Sequence, residues 1–422
     1  QSRQTNAGTR GLDAMGRLVY IDTALDRVLQ PAILDGQFRL VLITGNAGDG
    51  KTAFIQQVEA AARIRGAVVS PYGSGNGSAF QLDGRHFQTN YDGSQDEGDK
   101  VNDDVLRQFF SPFAGKDPTS WPDDTTGIIA INEGRLIDFL TQFGSEFPHL
   151  QQVIKRGLRT GTAENDIAVV NLDLRSIVAS SNGVPSIIER MIKRLVEPTF
   201  WAPCRSCDLK DRCYVYHNAQ TFANPTAGTQ VLERLTLLYR LITLRAKLHI
   251  TMRDLRSALA YMISGTRNCD EIHAIYEQGD RHAITNGFYF NSWSGAGTVQ
   301  HDRLLRMLQE VDVGHTGDSK LDRYFDFHSP DTSPLLMDFS PRGHYDRVLL
   351  QAEYQSLPTE VSSHQNRARF QHHRDYVAML RRLHFFETRD DSWRKFIPYG
   401  SAQNMLKMLS SPLEPRIAAL KI

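Results

Sequence analysis

The sequence predicts an α/β fold: a parallel sheet carrying a phosphate-binding loop, then a helical lid and a mixed, mainly helical C-terminal region. Three observations predict it. In LVLITGNAGDGKTAFIQQVE, residues 40–59, an apolar run enters a glycine-rich loop and leaves it as a helix. Two more apolar runs, in GIIAINEGRLIDFLTQF and DIAVVNLDLRSIV, alternate with helical stretches, as parallel strands joined by helices do. Residues 226–263 then change to an amphipathic helical pattern. At 422 residues the chain is too long for one ordinary core. The expected division is 1–200 for the nucleotide-binding domain, 201–225 for a Cys/His knuckle, 226–270 for the lid and 271–422 for the C-terminal region.

Taken in order, residues 13–35 read as a strand or loop followed by a helix stopped near Gly36. RLVLITG is a buried strand, and KTAFIQQVEAAARIRG is the helix after it, closed by Gly66. From Ser70 to Asp104 the chain reads as loop-rich and acidic, with short apolar pieces around Phe80 and Phe87. The second strand ends at Asn132 and runs into a helix, and the third follows later. Beyond about residue 270 the pattern weakens, ending in a basic helix, RFQHHRDYVAMLRRLHFFE.

Composition excludes several classes. Lys plus Arg equals Asp plus Glu at 48 each, so the whole chain carries no electrostatic footprint for nucleic acid. Any basic surface is local, and Arg367, Arg369, Arg374, Arg381 and Arg382 are the candidates for one, against the alternative of a solvated helix face. No apolar run is long enough to span a bilayer and no signal-peptide core is present, which predicts a cytoplasmic protein without membrane contact. The first residue is Gln1, which suggests a piece of a longer polypeptide.

Gly45, Gly50, Lys51 and Thr52 fit G-x-x-x-x-G-K-[ST], with a strand before and a helix after. Across Gly45, Asn46, Ala47, Gly48, Asp49, Gly50, Lys51 and Thr52, backbone N–H groups and a helix N-terminus suit phosphate. Lys51 suits the β and γ oxygens and Thr52 suits Mg2+. No N-K-x-D guanine signature occurs, so ATP is the expected nucleotide.

Hydrolysis needs further carboxylate. Asp83, ending FQLD, and Asp92, ending HFQTNYD with Asp96 and Glu97 after it, compete for the metal; Asp92 is preferred for the polar cluster that follows. Asn132 at a strand tip suits the γ-phosphate or the attacking water, and its alternative is a plain helix cap. Glu133 is the rival catalytic base. In TMRDLRSALAYMI, Thr251 opens a helix with Arg253 and Arg256 in its first turns, where cations favour an external anion, although Asp254 offsets them.

Cys204, Cys207, Cys213 and His217 have the spacing C-x2-C-x5-C-x3-H, which suits a closed tetrahedral structural Zn2+ site. An iron–sulfur cluster drawing on Cys269 is the alternative, and plain buried cysteines a third.

The order of phosphate loop, acidic strand end, IIAINEG and TMRDLRSAL resembles the AAA+ and STAND class of P-loop NTPases. More narrowly, GNAGDGKT, IIAINEGRLIDFL and CRSCDLKDRCYVYHN together resemble the DptF-like ATPases of phosphorothioate-dependent DNA restriction and related anti-phage NTPases, over about residues 38–260. The resemblance implies that Asn132 is a first γ-phosphate sensor and Arg253 a lid sensor. It implies a switch or motor ATPase working with DNA or an effector protein, in a homo-oligomer. The metal-holding acid departs from the clean motif of that class, and no arginine finger is evident. A nucleotide-holding scaffold with little turnover and a small-molecule kinase are the competing readings.

Overall fold

The computed structural model describes residues 14–73, 75–96, 101–160, 166–178, 184–246, 249–294, 302–327, 354–355, 367–399, 402 and 404. By internal contacts the chain divides into two units, residues 1–177 with 251–253, and residues 178–250 with 254–422.

The first unit is built on a six-stranded sheet of β1 (Leu40–Thr44), β2 (Ser70–Pro71), β3 (Ser78–Leu82), β4 (Arg85–Asn90), β5 (Thr125–Ala130) and β6 (Ile167–Asn171). Their order is β2-β3-β4-β5-β1-β6. β4, β5, β1 and β6 run parallel, as expected, but β2 and β3 pair antiparallel, so the sheet is mixed. The reason is local. Asp83 and Gly84 both take positive φ, 51° and 79°, in a two-residue turn that folds β3 back onto β4. The stretch expected to be loop is therefore a hairpin, with Phe80 and Phe87 stacked across it at 4.7 Å.

All five residues of β1 are buried, as a central parallel strand requires. Its side chains alternate between two cores. Leu40 and Leu42 pack with Phe109, Phe110, Phe139 and Ile154, and Val41 and Ile43 pack with Ile33, Phe54, Ile55 and Val58. Ile33 comes from the short helix Gln30–Leu34, and the other helical residues come from α1 (Lys51–Ile64), α2 (Asn102–Phe110), α3 (Glu133–Phe143) and α4 (Pro148–Thr160). α1 also turns Glu59 inward, where it accepts hydrogen bonds from Ser78 Oγ at 2.6 Å, Thr89 Oγ1 at 3.0 Å and Tyr91 OH at 2.9 Å. Burial and the Glu59 charge push the Tyr91 phenol up to about 12.

The second unit is helical: α5 (Ile187–Leu195), α6 (Tyr214–Ala223), α7 (Ala227–Ala246), α8 (Met252–Ser264, its first residues grouping with the first unit), α9 (Cys269–Gln278), α10 (Arg303–Glu310), α11 (Ser319–Phe327) and α12 (Arg367–Glu387). α5 and α9 each begin with a capping box, Ser186 with Glu189 and Asn268 with Glu271, which satisfies the first orphan amides. Two of the arginines offered for a phosphate-binding face are used internally. Arg382, 4% exposed, pairs with Asp312 at 2.8 Å and donates to Asn291 Oδ1 at 2.6 Å; Arg381 pairs with Asp322 at 2.8 Å. Arg367 and Arg369 have side chains outside the described set. Among the described residues, no helix is long and apolar enough to cross a membrane.

Candidate functional site

Because β4, β5, β1 and β6 are parallel, their C-terminal tips lie along one edge, the edge at which α/β sheets bind ligands. That edge brings together the loop from Gly45, the turn at Asp92, the tip at Asn132 and the segment Asn171–Arg175. Asp83 lies elsewhere. The antiparallel hairpin puts it beside Arg85, at the start of β4, whereas Asp92 follows the end of β4. Of the two acids, Asp92 is thus the one on the edge that holds the loop from Gly45.

The loop between β1 and α1 depends on its glycines. Gly45, Gly48 and Gly50 have φ of 142°, 100° and 92°. A Cβ on Gly48 would meet Arg253 Cβ at 2.9 Å, and Gly50, in the left-handed region, lets the chain turn directly into α1. Asn46 and Ala47 are exposed at the loop crest. Asp49 is buried: it accepts the Asn46 N–H at 2.7 Å and pairs with Arg175 at 3.0 Å, so it shapes the loop rather than facing a ligand.

Lys51 Nζ donates to Gly45 O at 2.7 Å and Asn46 O at 2.9 Å, folded across the loop that it would serve. Burial pushes its ammonium below the ordinary lysine value. Asp49, Asp92 and Asp173 oppose that shift, and Arg253 adds to it. Thr52 Oγ1 donates to Tyr91 O at 3.0 Å, which ties the start of α1 to the residue before Asp92. Asp92 is half-buried; its carboxylate accepts from Ser94 N–H at 3.0 Å and Gln95 Nε2 at 2.7 Å. Asp96 caps the start of α2 by accepting the Asn102 N–H at 2.8 Å, and Glu97 lies outside the described residues.

Asn132 is exposed and stands at the N-cap of α3, yet its side chain makes no capping bond. Its backbone N–H donates to Ser94 Oγ at 3.3 Å. The plain-cap reading of its amide thus lacks its defining contact. Glu133 Oε2 accepts from Asn171 Nδ2 at 2.9 Å, which fixes the carboxylate between two strand tips. Arg253 is exposed, and its N–H donates to Gly48 O at 3.1 Å.

The sequence reading missed Asp173 and Arg175. Asp173 Oδ1 accepts from Asn46 Nδ2 at 2.7 Å, and Arg175 donates to both Asp49 O and Oδ1. The signal was available: NLDLR leaves an apolar strand with polar residues, and Asn171 pairs in register with Thr44, immediately before Gly45.

In the second unit Cys204, Cys207 and Cys213 sit on short turns, in which the Cys207 backbone N–H donates to Cys204 O at 3.4 Å and the Cys213 N–H to Leu209 O at 2.8 Å. Cys269 opens α9, and His273 one turn further on meets Cys207. Burial pushes the Cys204 thiol up, and the neighbouring Cys213, Cys269 and Cys207 sulfurs push the same way. Burial also raises Cys213, against N–H bonds from Tyr216 and Val215, with Cys207 and Cys269 adding. Cys207 Sγ lies 3.4 Å from His273 Nε2 and 3.6 Å from Asp208 Oδ1. His217 is 1% exposed on α6, edge-on to Phe288 at 5.0 Å, with Nε2 3.5 Å from Thr221 Oγ1.

No protein-family model, curated protein or solved structure matches this chain.

Proposed function

We propose that the chain binds ATP with Mg2+ in the loop Gly45–Thr52 and hydrolyses it. One observation carries this reading: three positive-φ glycines and Lys51, whose Nζ reaches Gly45 O and Asn46 O, stand on the sheet edge where Thr52 bonds the residue before Asp92. A lysine partly stripped of water among acids, beneath a helix N-terminus, suits a polyphosphate. Thr52 and Asp92 are the residues that would hold magnesium, which supplies charge neutralisation of the β and γ oxygens. Asn132 would orient the attacking water or the γ-phosphate with its side-chain amide. Glu133, steadied by Asn171, would take the proton from that water. Arg253 would bind the γ-phosphate from beside Gly48.

The wider assignment, a switch or motor ATPase of anti-phage defence acting with DNA or an effector, rests on the motif resemblance alone. Turnover of ATP by the purified chain, with and without DNA, tests the reading. Asp92→Asn and Glu133→Gln should each slow it by roughly 10²-fold while ATP still binds. Unchanged turnover in both would remove the hydrolytic assignment, and tight ATP binding with no turnover in the parent chain would favour the nucleotide-holding scaffold.

A further inference from the structure

Away from the sheet edge, three side chains with metal-binding donor atoms meet in the second unit. Cys207 and Asp208 stand between two turns: the Cys207 N–H donates to Cys204 O at 3.4 Å, and the Lys210 N–H donates to Cys207 O at 3.1 Å. The two neighbours are thereby held at one bend. His273 reaches that bend from α9, 66 residues beyond Cys207. Tyr276, three residues further along α9 and so on the same helix face, fastens the helix there. Its hydroxyl donates to Arg212 O at 2.6 Å and accepts the Tyr214 N–H at 2.8 Å, and Arg212 lies over its ring, 5.8 Å from the centre.

The spacing of the donor atoms carries the argument. Cys207 Sγ lies 3.4 Å from His273 Nε2 and 3.6 Å from Asp208 Oδ1, and those two atoms are 3.8 Å apart. A tetrahedral zinc with Zn–S of about 2.3 Å and Zn–N and Zn–O of about 2.0–2.1 Å places such ligand atoms roughly 3.3–3.6 Å from one another. The triangle therefore needs to close by only a few tenths of an ångström on one side to seat the ion. Cys207 and His273 are half-buried, whereas the Asp208 side chain is 84% exposed, which leaves the fourth position open to water. His217, the ligand expected from the spacing of the cysteines, is instead packed edge-on to Phe288 within the helical core.

We propose that Cys207, Asp208 and His273 bind one Zn2+, with His273 of α9 in place of His217 and water completing the tetrahedron. One thiolate, one imidazole and one carboxylate suit a borderline transition ion and disfavour Mg2+, which takes oxygen ligands, so the site does not compete for the magnesium of a nucleotide. The ion clips α9 to the turns that precede α6. The proposal is independent of the nucleotide reading, since all three ligands lie in the second unit.

The test is titration of the full chain, stripped with a chelator, with Co2+ as a spectroscopic probe and Zn2+ as competitor. One Co2+ per chain should bind with a thiolate-to-cobalt charge-transfer band and the intense d–d bands of a four-coordinate ion, and Zn2+ but not Mg2+ should displace it. Cys207→Ser should abolish the charge-transfer band. Asp208→Ala and His273→Ala should each weaken binding by at least about 100-fold, because changes behind the ligands already cost about 10–100-fold. Asp208 is exposed, so far-UV circular dichroism should show that variant folded. His217→Leu should bind as the parent does. Absence of stoichiometric Co2+ binding would overturn the proposal, as would parent affinity in both Asp208→Ala and His273→Ala. Loss of the ion in His217→Leu with retention in His273→Ala would return the site to the C-x2-C-x5-C-x3-H set and overturn it equally.

Discussion

The glycine loop and the cysteine turns are both short stretches of a few residues, but they are held in different ways. Eight consecutive residues, Gly45 to Thr52, supply nearly the whole loop, and the strand and helix on either side are its immediate neighbours. The cysteine turns meet the first turns of α9, a helix beyond α8, where His273 lies 3.4 Å from Cys207 Sγ. A local site is held by backbone conformation, whereas a site assembled across the chain is held by whatever docks the second segment. Here that is Tyr276 on both sides of Cys213. Substitutions should therefore act on function in the first unit and on helix docking in the second.

The largest stability effect is expected in the second unit, at the pair Asp312–Arg382, where both side chains are nearly fully buried. Asp312→Ala strands the guanidinium and should cost about 3–5 kcal/mol, while replacing both residues with apolar ones of similar volume should cost much less. Denaturant unfolding of the two variants checks this. The same pair sets an acid limit. Burial alone would raise the Asp312 carboxyl, but Arg382 and the Gly314 N–H outweigh it and hold it below the usual carboxylate range. A depressed folded value gives stability that is present above the unfolded value of about 3.9 and is lost as pH falls through the folded one. Unfolding of the second unit should accordingly steepen below about pH 4, and that steepening should vanish in the double apolar variant.

A smaller loss is expected in the first unit. Glu59→Ala leaves the hydroxyls of Ser78, Thr89 and Tyr91 without their shared acceptor and should cost about 1–3 kcal/mol. It should also loosen Tyr91, whose carbonyl receives Thr52, so ATP turnover should fall along with stability. Full turnover in a destabilised Glu59→Ala would uncouple this network from the site. Smaller again is Arg253→Ala, expected to slow turnover roughly tenfold, the scale of one charged hydrogen bond, with folding unchanged. An equal loss of stability would make Arg253 a structural partner of the loop.

The parts of this molecule legible in the sequence are those written locally. The motif placed the loop, and the apolar runs placed β1, β5 and β6. The edge hairpin was missed because Phe80 and Phe87 sit in short strands amid polar residues, although Asp83-Gly84 is a turn signal. Asp83 and Asp92 are both acids at apolar strand ends in the sequence, and only the antiparallel register shows that Asp83 turns at the far edge. Asp173 and Arg175 reach the loop only because β6 lies next to β1, a pairing that residue order does not state. His273 likewise meets Cys207 only through the docking of α9, which the spacing of the cysteines does not state. Arg381 and Arg382 read as a basic helix face because their partners, Asp322 and Asp312, lie in distant segments.

The central claim is that one phosphate loop, with Lys51 as its cation, is the nucleotide site. Calorimetric titration of the full chain with MgATP, beside Lys51→Ala, tests it most directly. One nucleotide per chain for the parent and no measurable binding for Lys51→Ala, with both equally folded, is the predicted result; matching affinity in the two proteins would contradict it.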